Sequence, residues 1–159
     1  MNHPLVSRRH LLVGGAAVIL AGAAPALARA AAPAIHVVKD PDCGCCGAWI
    51  DILAQEGFGV TTEHLGADAL QAFKRENGIP PSMASCHTAR IEGYVIEGHV
   101  PVADIRRLLE ERPDAVGLAV PGMPYGAPGM GPEDERDAYD VHLILRDGRT
   151  RVFASYKAA

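Results

Sequence analysis

The segment Cys43-Gly44-Cys45-Cys46 constrains this chain more than any other feature, because it holds three of the four cysteines. An apolar, helix-like run over residues 49–53 follows it directly. Cys43 and Cys46 have the C-x-x-C spacing of thioredoxin-type redox pairs. A disulfide enzyme needs only two of these thiols. The third thiol, together with the distant Cys86, favours a site for a soft metal ion, since thiolates prefer Cu(I), zinc or iron–sulfur centres.

Residues 1–30 are predicted to be a signal peptide rather than part of the fold. The arginine pair Arg8-Arg9 precedes an apolar run over residues 11–27 that contains no acidic residue, which is typical of a bacterial secretory signal. The arginine pair followed by a leucine pair indicates the twin-arginine route. Small-x-small cleavage sites at 26–28 and 28–30 favour cleavage over the alternative, an uncleaved membrane anchor. The sequence therefore predicts a periplasmic protein.

The remaining residues, 31–159, have a length that suits one domain. Cleavage after Ala28 removes Arg8 and Arg9, which leaves 13 basic and 19 acidic residues and a net charge of −6. This balance argues against nucleic acid as a partner. No later segment resembles a transmembrane span, so no stable membrane span is expected once the signal has been cleaved.

The pattern of apolar residues, glycines and prolines predicts an element order of β–α–β–α–β–β–α. We predict strands at 35–39, 58–64, 89–91 and 94–96, and helices at 48–55, 67–77 and 102–111. A short strand at 115–120, a Gly/Pro/Met loop at 121–132 and a hairpin at 139–145 and 150–155 follow. This is the order of a thioredoxin-like α/β fold, in which helices flank a central mixed sheet, with an additional C-terminal loop and β-hairpin.

The cysteine segment opens the first helix, where unpaired N–H groups and the helix dipole favour thiolate over thiol. This position supports redox chemistry or metal binding. Cys45 favours metal, because a third thiol between the outer cysteines would compete for a disulfide. Cys86 and His87 favour it too, because their loop at 82–88 is expected to face the start of the helix.

Methionines and a second histidine extend the candidate site. A repeated Pro-Gly-Met pattern contains Met123 and Met130, and thioethers are soft ligands suited to Cu(I). His99 lies just before the third helix, where it can point at the site. Met83 is a weaker candidate. His36, His64 and His142 lie in strand-like segments and have no ligand partner by their spacing, so they are expected to have structural or surface roles.

Several separated segments together resemble the small periplasmic metal-binding proteins of the CopG copper-resistance type. These segments are KDPDCGCCGAWI (39–50), SCHTA (85–89), YVIEGHVPVADIRRLL (94–109), RPDAVGLAVPGMPYGAPGM (112–130) and YDVHLILRDGRTRVFASY (139–156). The resemblance implies a thioredoxin-like domain that binds copper as a thiolate-bridged Cu(I) cluster of more than one ion, with redox activity. It also implies a role in copper tolerance beside other copper-handling proteins of the envelope.

Carried over by motif, the resemblance makes Cys43, Cys45, Cys46 and Cys86 the cluster ligands. His99, Met123 and Met130 are candidates to complete or cover the site. On this interpretation the chain is a metal-binding protein in preference to a copper-dependent oxidoreductase.

Two rival functions remain. A thiol–disulfide oxidoreductase would use Cys43 as the nucleophile and Cys46 as the resolving thiol. A structural zinc site would use four cysteines, although the adjacent Cys45 and Cys46 fit one tetrahedral centre poorly. An iron–sulfur centre is a further alternative in principle.

Overall fold

The computed structural model describes residues 32–159, so the predicted signal peptide at 1–30 lies outside the described residues. The element order is β1 (Ala34–Lys39), α1 (Gly44–Gln55), β2 (Gly59–His64), α2 (Ala67–Glu76), β3 (His87–Ile91), β4 (Tyr94–Glu97), α3 (Val102–Glu111), β5 (Gly117–Ala119), β6 (Tyr139–Ile144) and β7 (Thr150–Tyr156). Short 3-10 helices lie at Pro81–Met83 and Glu133–Glu135. This order confirms the predicted thioredoxin-like α/β fold.

The strands form one seven-stranded sheet in the order β2-β1-β3-β4-β5-β6-β7. β1 is parallel to β2 and β4 is parallel to β5, whereas the other neighbours are antiparallel. The first four strands of this order are the thioredoxin-like part. The predicted C-terminal hairpin, β6 and β7, continues the same sheet through β5, so the additional segment shares the hydrophobic core of the domain.

The core lies where the helices pack on the sheet. Helix α1 buries Trp49 and Leu53 on one face, and the Trp49 indole N–H donates to the carbonyl of Val100 at 3.0 Å, which ties α1 to the segment before α3. Strand β1 supplies buried apolar residues from its centre. The largest buried apolar side chains are Trp49, Ile35, Leu53, Ile91, Ile96, Ile105, Leu108, Leu118, Leu143 and Ile144.

The strand register brings three chain segments to one end of the sheet. Lys39, the last residue of β1, lies opposite His87, the first residue of β3. Thr88 in turn lies opposite Glu97, the last residue of β4. Residues just beyond these strand ends therefore meet at the start of α1, although they are far apart in sequence.

Two element boundaries differ from the sequence prediction in ways that matter for the site. Helix α1 begins at Gly44, four residues before the predicted start, because the Gly-Cys-Cys-Gly stretch has no apolar periodicity to reveal its first turn. His87 belongs to β3 rather than to the predicted loop at 82–88, because its backbone pairs with β1. No helix within residues 32–159 combines the length and the apolar character needed to cross a bilayer.

Candidate metal centre

The three clustered cysteines lie at the N-terminus of α1. Cys43 is the N-cap residue, with extended backbone (φ −77°, ψ 97°) and no side-chain capping hydrogen bond, and Cys45 and Cys46 lie in the first turn. A tight turn after β1 positions the three cysteines at the start of the helix; in this turn the Cys43 N–H donates to the carbonyl of Asp40 at 3.2 Å. The free N–H groups of the first turn favour negative charge on these sulfur atoms.

Cys43 and Cys46 form a disulfide whose Cα atoms are 5.5 Å apart. Cys46 is fully buried and Cys43 is half-buried. Cys45 and Cys86 are free thiols, and the Cys45 Sγ lies 3.5 Å from the Cys43 Sγ. The helix N-terminus thus contains an oxidised pair with a third sulfur atom in contact with it.

Cys86 completes the group of four sulfur atoms. It immediately precedes β3, and the register of β3 against β1 brings it to the start of α1. The Sγ atoms of the four cysteines all lie within 4.8 Å of one another. The structure therefore brings together all four cysteines that the sequence analysis selected, from two segments about 40 residues apart in the chain.

Both candidate histidines lie against Cys86. The Nε2 of His99 is 3.1 Å from the Cys86 Sγ, and the Nδ1 of His87 is 3.3 Å from the same atom. The His99 Nδ1 donates to the carbonyl of Pro128 at 2.8 Å, so the Nε2 lone pair points at Cys86. One ligand atom from each of Cys86, His87 and His99 forms a second group within 4.8 Å.

His87 is fully buried and packs between two rings. Its ring centroid is 4.4 Å from that of Trp49 and 5.0 Å from that of His99. Its Nε2 atom is buried and has no hydrogen-bond partner among the described residues. The Trp49 and His99 rings therefore fix the orientation of the imidazole, while one of its nitrogen atoms carries no structural hydrogen bond.

The environment of the site favours neutral groups. Burial raises the pKa of the Cys86 thiol to about 11, and the neighbouring Cys45 adds to this rise. Burial lowers the pKa of His87 well below its usual range, with further contributions from His99 and Lys74. Burial also lowers the pKa of His99, against the opposing effect of the Pro128 carbonyl. Both imidazoles therefore favour the uncharged form at neutral pH, in which one ring nitrogen has a free lone pair.

Both Pro-Gly-Met segments contact the chain beside the cysteines. The Gly122 N–H donates to the Ala84 carbonyl at 3.2 Å, two residues before Cys86. Gly129 lies against the first turns of α1, and a Cβ atom added to Gly129 would lie 2.7 Å from the backbone nitrogen of Trp49. Their methionines differ in exposure, because Met123 is 57% exposed and Met130 is half-buried. Ligation by either thioether stays a prediction.

Met83 has a different environment from the other two methionines. It packs against a small apolar cluster made by Ile79, Val95, Ala119 and Ile144. This packing accounts for the partly buried Met83 side chain, since methionine fills irregular apolar gaps well. It favours a structural role for Met83.

A depression of about 330 Å³ opens on the sulfur atoms from the surface. It is lined by Cys43, Ser85 and Cys86 together with the acidic residues Asp40 and Asp42. Cys46 does not line it and is fully buried. Cys43 and Cys86 are therefore the sulfur atoms that a molecule entering from this side would meet first.

Sequence reasoning did not identify a buried polar network beside the site. Lys74, Thr88 and Glu97 are all buried, and the Lys74 Nζ lies 2.6 Å from the Glu97 Oε1. Burial raises the pKa of Glu97, against the opposing effects of Lys74 and Thr88. The signal in the sequence was the isolated glutamate in the otherwise apolar run over residues 94–97, since acidic residues are rarely buried unless they are paired.

The chain is similar to one protein-family model and to solved structures of known proteins. A family model described as "Protein of unknown function, DUF411" matches residues 83–130. The solved structure "Copper resistance protein copG- Form 2" is 51% identical, with a TM-score of 0.72, over 79% of this chain and 98% of that chain. "Copper resistance protein copG- Form 1" is 49% identical, with a TM-score of 0.73, over 79% of this chain and 99% of that chain. No curated protein matches the chain.

Proposed function

This chain belongs to the family of the copper resistance protein CopG, and from this membership we propose that it is a copper-binding protein of copper resistance. It holds Cu(I) on the thiolates of Cys43, Cys45, Cys46 and Cys86. The observation that carries the proposal is that these four sulfur atoms lie within 4.8 Å of one another. Thiolates are the donors that Cu(I) prefers among protein side chains.

The arrangement of the sulfur atoms favours more than one ion. Cys45 and Cys46 are adjacent in the helix, and adjacent residues serve poorly as two corners of one tetrahedron. Thiolates that bridge neighbouring Cu(I) ions use such positions readily. The same reason argues against a single structural zinc ion. His99 supports the site as a neutral nitrogen donor from the side of Cys86. His87 is a further candidate donor, and Met130 and Met123 are candidate ligands at the rim.

The disulfide sets a condition on binding. Ligation by all four cysteines requires reduction of the Cys43–Cys46 bond by an external dithiol, which supplies two electrons, becomes a disulfide itself and releases two protein thiolates. Cys86 must also lose its thiol proton, which burial holds more tightly than usual. The helix N-terminus stabilises the resulting negative charge on Cys43, Cys45 and Cys46. Copper loading is therefore coupled to the redox state and to proton release.

The proposed place of action is the bacterial periplasm. The proposal rests on the sequence of residues 1–30, whose arginine pair, apolar run and cleavage sites are typical of a twin-arginine signal peptide. The partners proposed there are copper ions and other copper-handling proteins of the envelope. The test is fractionation of cells that produce the chain with either Arg8-Arg9 or a Lys-Lys pair. Loss of the periplasmic form with the lysines is expected, and an unchanged distribution would contradict twin-arginine export.

The first experiment is an anaerobic Cu(I) titration of the reduced protein against a chromophoric Cu(I) chelator. We expect more than one copper per chain, and we expect Cys45→Ser to lower the stoichiometry. Ala48→Ser, on the exposed side of the same helix, is the matched control. A Cys45→Ser protein that binds as much Cu(I) as the parent would contradict the proposal.

A second candidate function is thiol–disulfide exchange, and the Cys43–Cys46 disulfide is the observation that favours it. In the reduced enzyme the more accessible Cys43 thiolate would attack a substrate disulfide and release one substrate thiol. Cys46 would then attack the mixed disulfide, release the second thiol and take the two oxidising equivalents. This candidate predicts metal-independent reduction of a model disulfide such as insulin by a dithiol donor. Serine at Cys45 or Cys86 would not affect that activity.

A further inference from the structure

A buried ion pair lies directly behind Cys86 and His87, and neither copper binding nor disulfide exchange uses it. Lys74 of α2 is 2% exposed, and Glu97 of β4 and Thr88 of β3 are fully buried. The Lys74 Nζ donates to the Glu97 Oε1 at 2.6 Å and to the Thr88 Oγ1 at 2.9 Å. Each charged group therefore has a partner of opposite charge and a hydroxyl within reach.

The Glu97 carboxylate holds both sides of the Cys86-His87 dipeptide. Its Oε1 accepts the Ser85 backbone N–H at 2.6 Å, and its Oε2 accepts the Thr88 hydroxyl at 2.6 Å. Ser85 immediately precedes Cys86, and Thr88 immediately follows His87. One carboxylate thus fixes the chain on either side of two candidate ligands.

The residues after Glu97 continue the same contact. The Gly98 N–H donates to the His87 carbonyl at 3.0 Å. A Cβ atom on Gly98, whose φ is +72°, would lie 2.5 Å from the Ser85 Oγ, so the two segments approach as closely as glycine permits. His99 then reaches the Cys86 Sγ. Residues 97–99 therefore contact every residue from Ser85 to Thr88.

Stability alone does not explain a network of this kind. Removing two charges from water carries a desolvation penalty that their attraction offsets only in part, and apolar replacement of a buried ion pair is often neutral or stabilising. The Lys74–Glu97 pair is almost completely buried, so the same desolvation penalty applies to it. What an apolar pair cannot supply is an acceptor for the Ser85 N–H and the Thr88 hydroxyl at a fixed position.

We propose that Lys74, Thr88 and Glu97 are positioning residues that hold Cys86 and His87 against the cysteines of α1. Glu97 fixes the ligand segment, and Lys74 and Thr88 fix Glu97. The proposal rests on the proposed copper site, because it assigns the network to the geometry of the fourth thiolate. Removal of groups that hydrogen-bond to metal ligands and orient them commonly lowers metal affinity by about 10–100-fold.

Two variants separate positioning from stability. Lys74→Met/Glu97→Gln removes both charges but keeps an amide oxygen that can accept the Ser85 N–H. Lys74→Met/Thr88→Val/Glu97→Met removes both charges and the acceptor. Thermal unfolding of each protein is measured beside its Cu(I) affinity, by competition with a chromophoric chelator. We expect the first variant to retain the parent affinity within about threefold and the second to lose about tenfold or more.

Two results would overturn the proposal. One is parent-like Cu(I) affinity in the variant that lacks the acceptor. The other is a loss of affinity in both variants that follows the fall in Tm, because the network would then act only through stability. If the triple variant does not fold, the single variant Thr88→Val tests the proposal by the same two measurements. It is isosteric and removes one of the three hydrogen bonds that Glu97 accepts, so we expect a smaller loss of affinity without a matching loss of Tm; unchanged affinity would count against the proposal.

A metal-free measurement keeps this proposal separate from the proposed function. The alkylation rate of Cys86 by iodoacetamide at fixed pH is followed by mass spectrometry of the peptide that contains it. We expect faster alkylation in the variant that lacks the acceptor than in the parent and in Lys74→Met/Glu97→Gln. Failure of the parent to bind Cu(I) would contradict the proposed function, whereas equal alkylation rates in all three proteins would contradict positioning.

Discussion

The two ring nitrogens of His99 have different tasks. Nδ1 donates to the Pro128 carbonyl, and this hydrogen bond leaves the Nε2 lone pair directed at Cys86. Burial lowers the pKa of the ring, so protons compete weakly for Nε2 at neutral pH. These are the properties of a neutral metal ligand held in place by a backbone contact.

We therefore predict that His99→Gln lowers the Cu(I) affinity of the reduced protein by at least about tenfold, because the nitrogen donor is lost. The measurement is chelator competition under anaerobic conditions. His36→Gln is the matched control, since His36 is paired with Glu63 on the surface of β1 and β2. Equal affinities of His99→Gln and His36→Gln would contradict a ligand role for His99.

The two methionines of the Pro-Gly-Met segments allow a finer prediction. Met130 is half-buried in a segment packed on α1, whereas Met123 is 57% exposed. We predict that Met130→Leu lowers Cu(I) affinity more than Met123→Leu does, because a ligand has to be held near the thiolates. Chelator competition on the two variants decides this, and the reverse order would contradict it. Stability should change little in Met123→Leu, by about 0.5 kcal/mol or less.

The loop over residues 121–132 packs on α1 through the backbone at Gly129. Gly129 has a φ of +81°, and a Cβ atom there would lie 2.7 Å from the backbone nitrogen of Trp49 and 3.2 Å from the backbone carbonyl oxygen of Cys45. The neighbouring Pro128 supplies the carbonyl that orients His99. The position of this loop and the orientation of His99 are therefore one structural feature.

Gly129→Ala should push this loop off the helix. We predict a fall of about 1–3 kcal/mol in the free energy of unfolding, from backbone overlap, together with weaker Cu(I) binding. The control is Gly148→Ala, which has a similar φ of +82° but no atom near the added Cβ. It should lose some stability and keep its Cu(I) affinity. Denaturant unfolding and chelator competition measure the two effects, and matching Cu(I) losses in both variants would contradict the prediction.

The elements show where sequence reasoning succeeds. Helix α3 was predicted at 102–111 and lies at Val102–Glu111, because Pro101 and an amphipathic pattern mark it. Helix α1 does begin at the cysteine segment, as expected, but its first turn lies outside the predicted bounds of 48–55, since glycines and cysteines carry no apolar period. The register of β3 against β1 cannot be predicted from the local sequence pattern, so the sequence analysis assigns His87 to a loop although its backbone pairs with Lys39. For the site, the four cysteines were selected correctly as neighbours, whereas Lys74 and Thr88 were missed because their contacts are made only by the folded chain.

A stacked pair of tyrosines connects the C-terminal hairpin, β6 and β7, to helix α3. The rings of Tyr139 and Tyr156 stack with centroids 4.8 Å apart, and the Tyr156 hydroxyl donates to the buried Asp104 carboxylate at 2.7 Å. Burial raises the pKa of Tyr139 to about 12. Burial, followed by the hydrogen bond to Asp104, also raises the pKa of Tyr156.

These shifts make the two tyrosines contribute to stability that is lost at alkaline pH. A raised pKa means that the folded protein holds the phenol proton more tightly than the unfolded chain does. The stabilisation is thus fully present below pH 10, the ordinary tyrosine pKa, and is lost as the pH rises through about 12. We predict that the free energy of unfolding falls between pH 10 and pH 12, measured by urea denaturation. Tyr139→Phe should show a smaller fall, and an identical slope would contradict the assignment.

The division of the site between two chain segments also governs when it exists. Cys43, Cys45 and Cys46 are neighbours in any conformation, whereas Cys86 and His99 join them only after β3 has paired with β1. An unfolded chain therefore offers a metal ion three sulfur atoms, and only the additional affinity from Cys86 and His99 favours the folded state. Copper should raise the free energy of unfolding of the reduced protein only by the contribution of Cys86 and His99. A nascent chain would already compete for the ion before it has a fold.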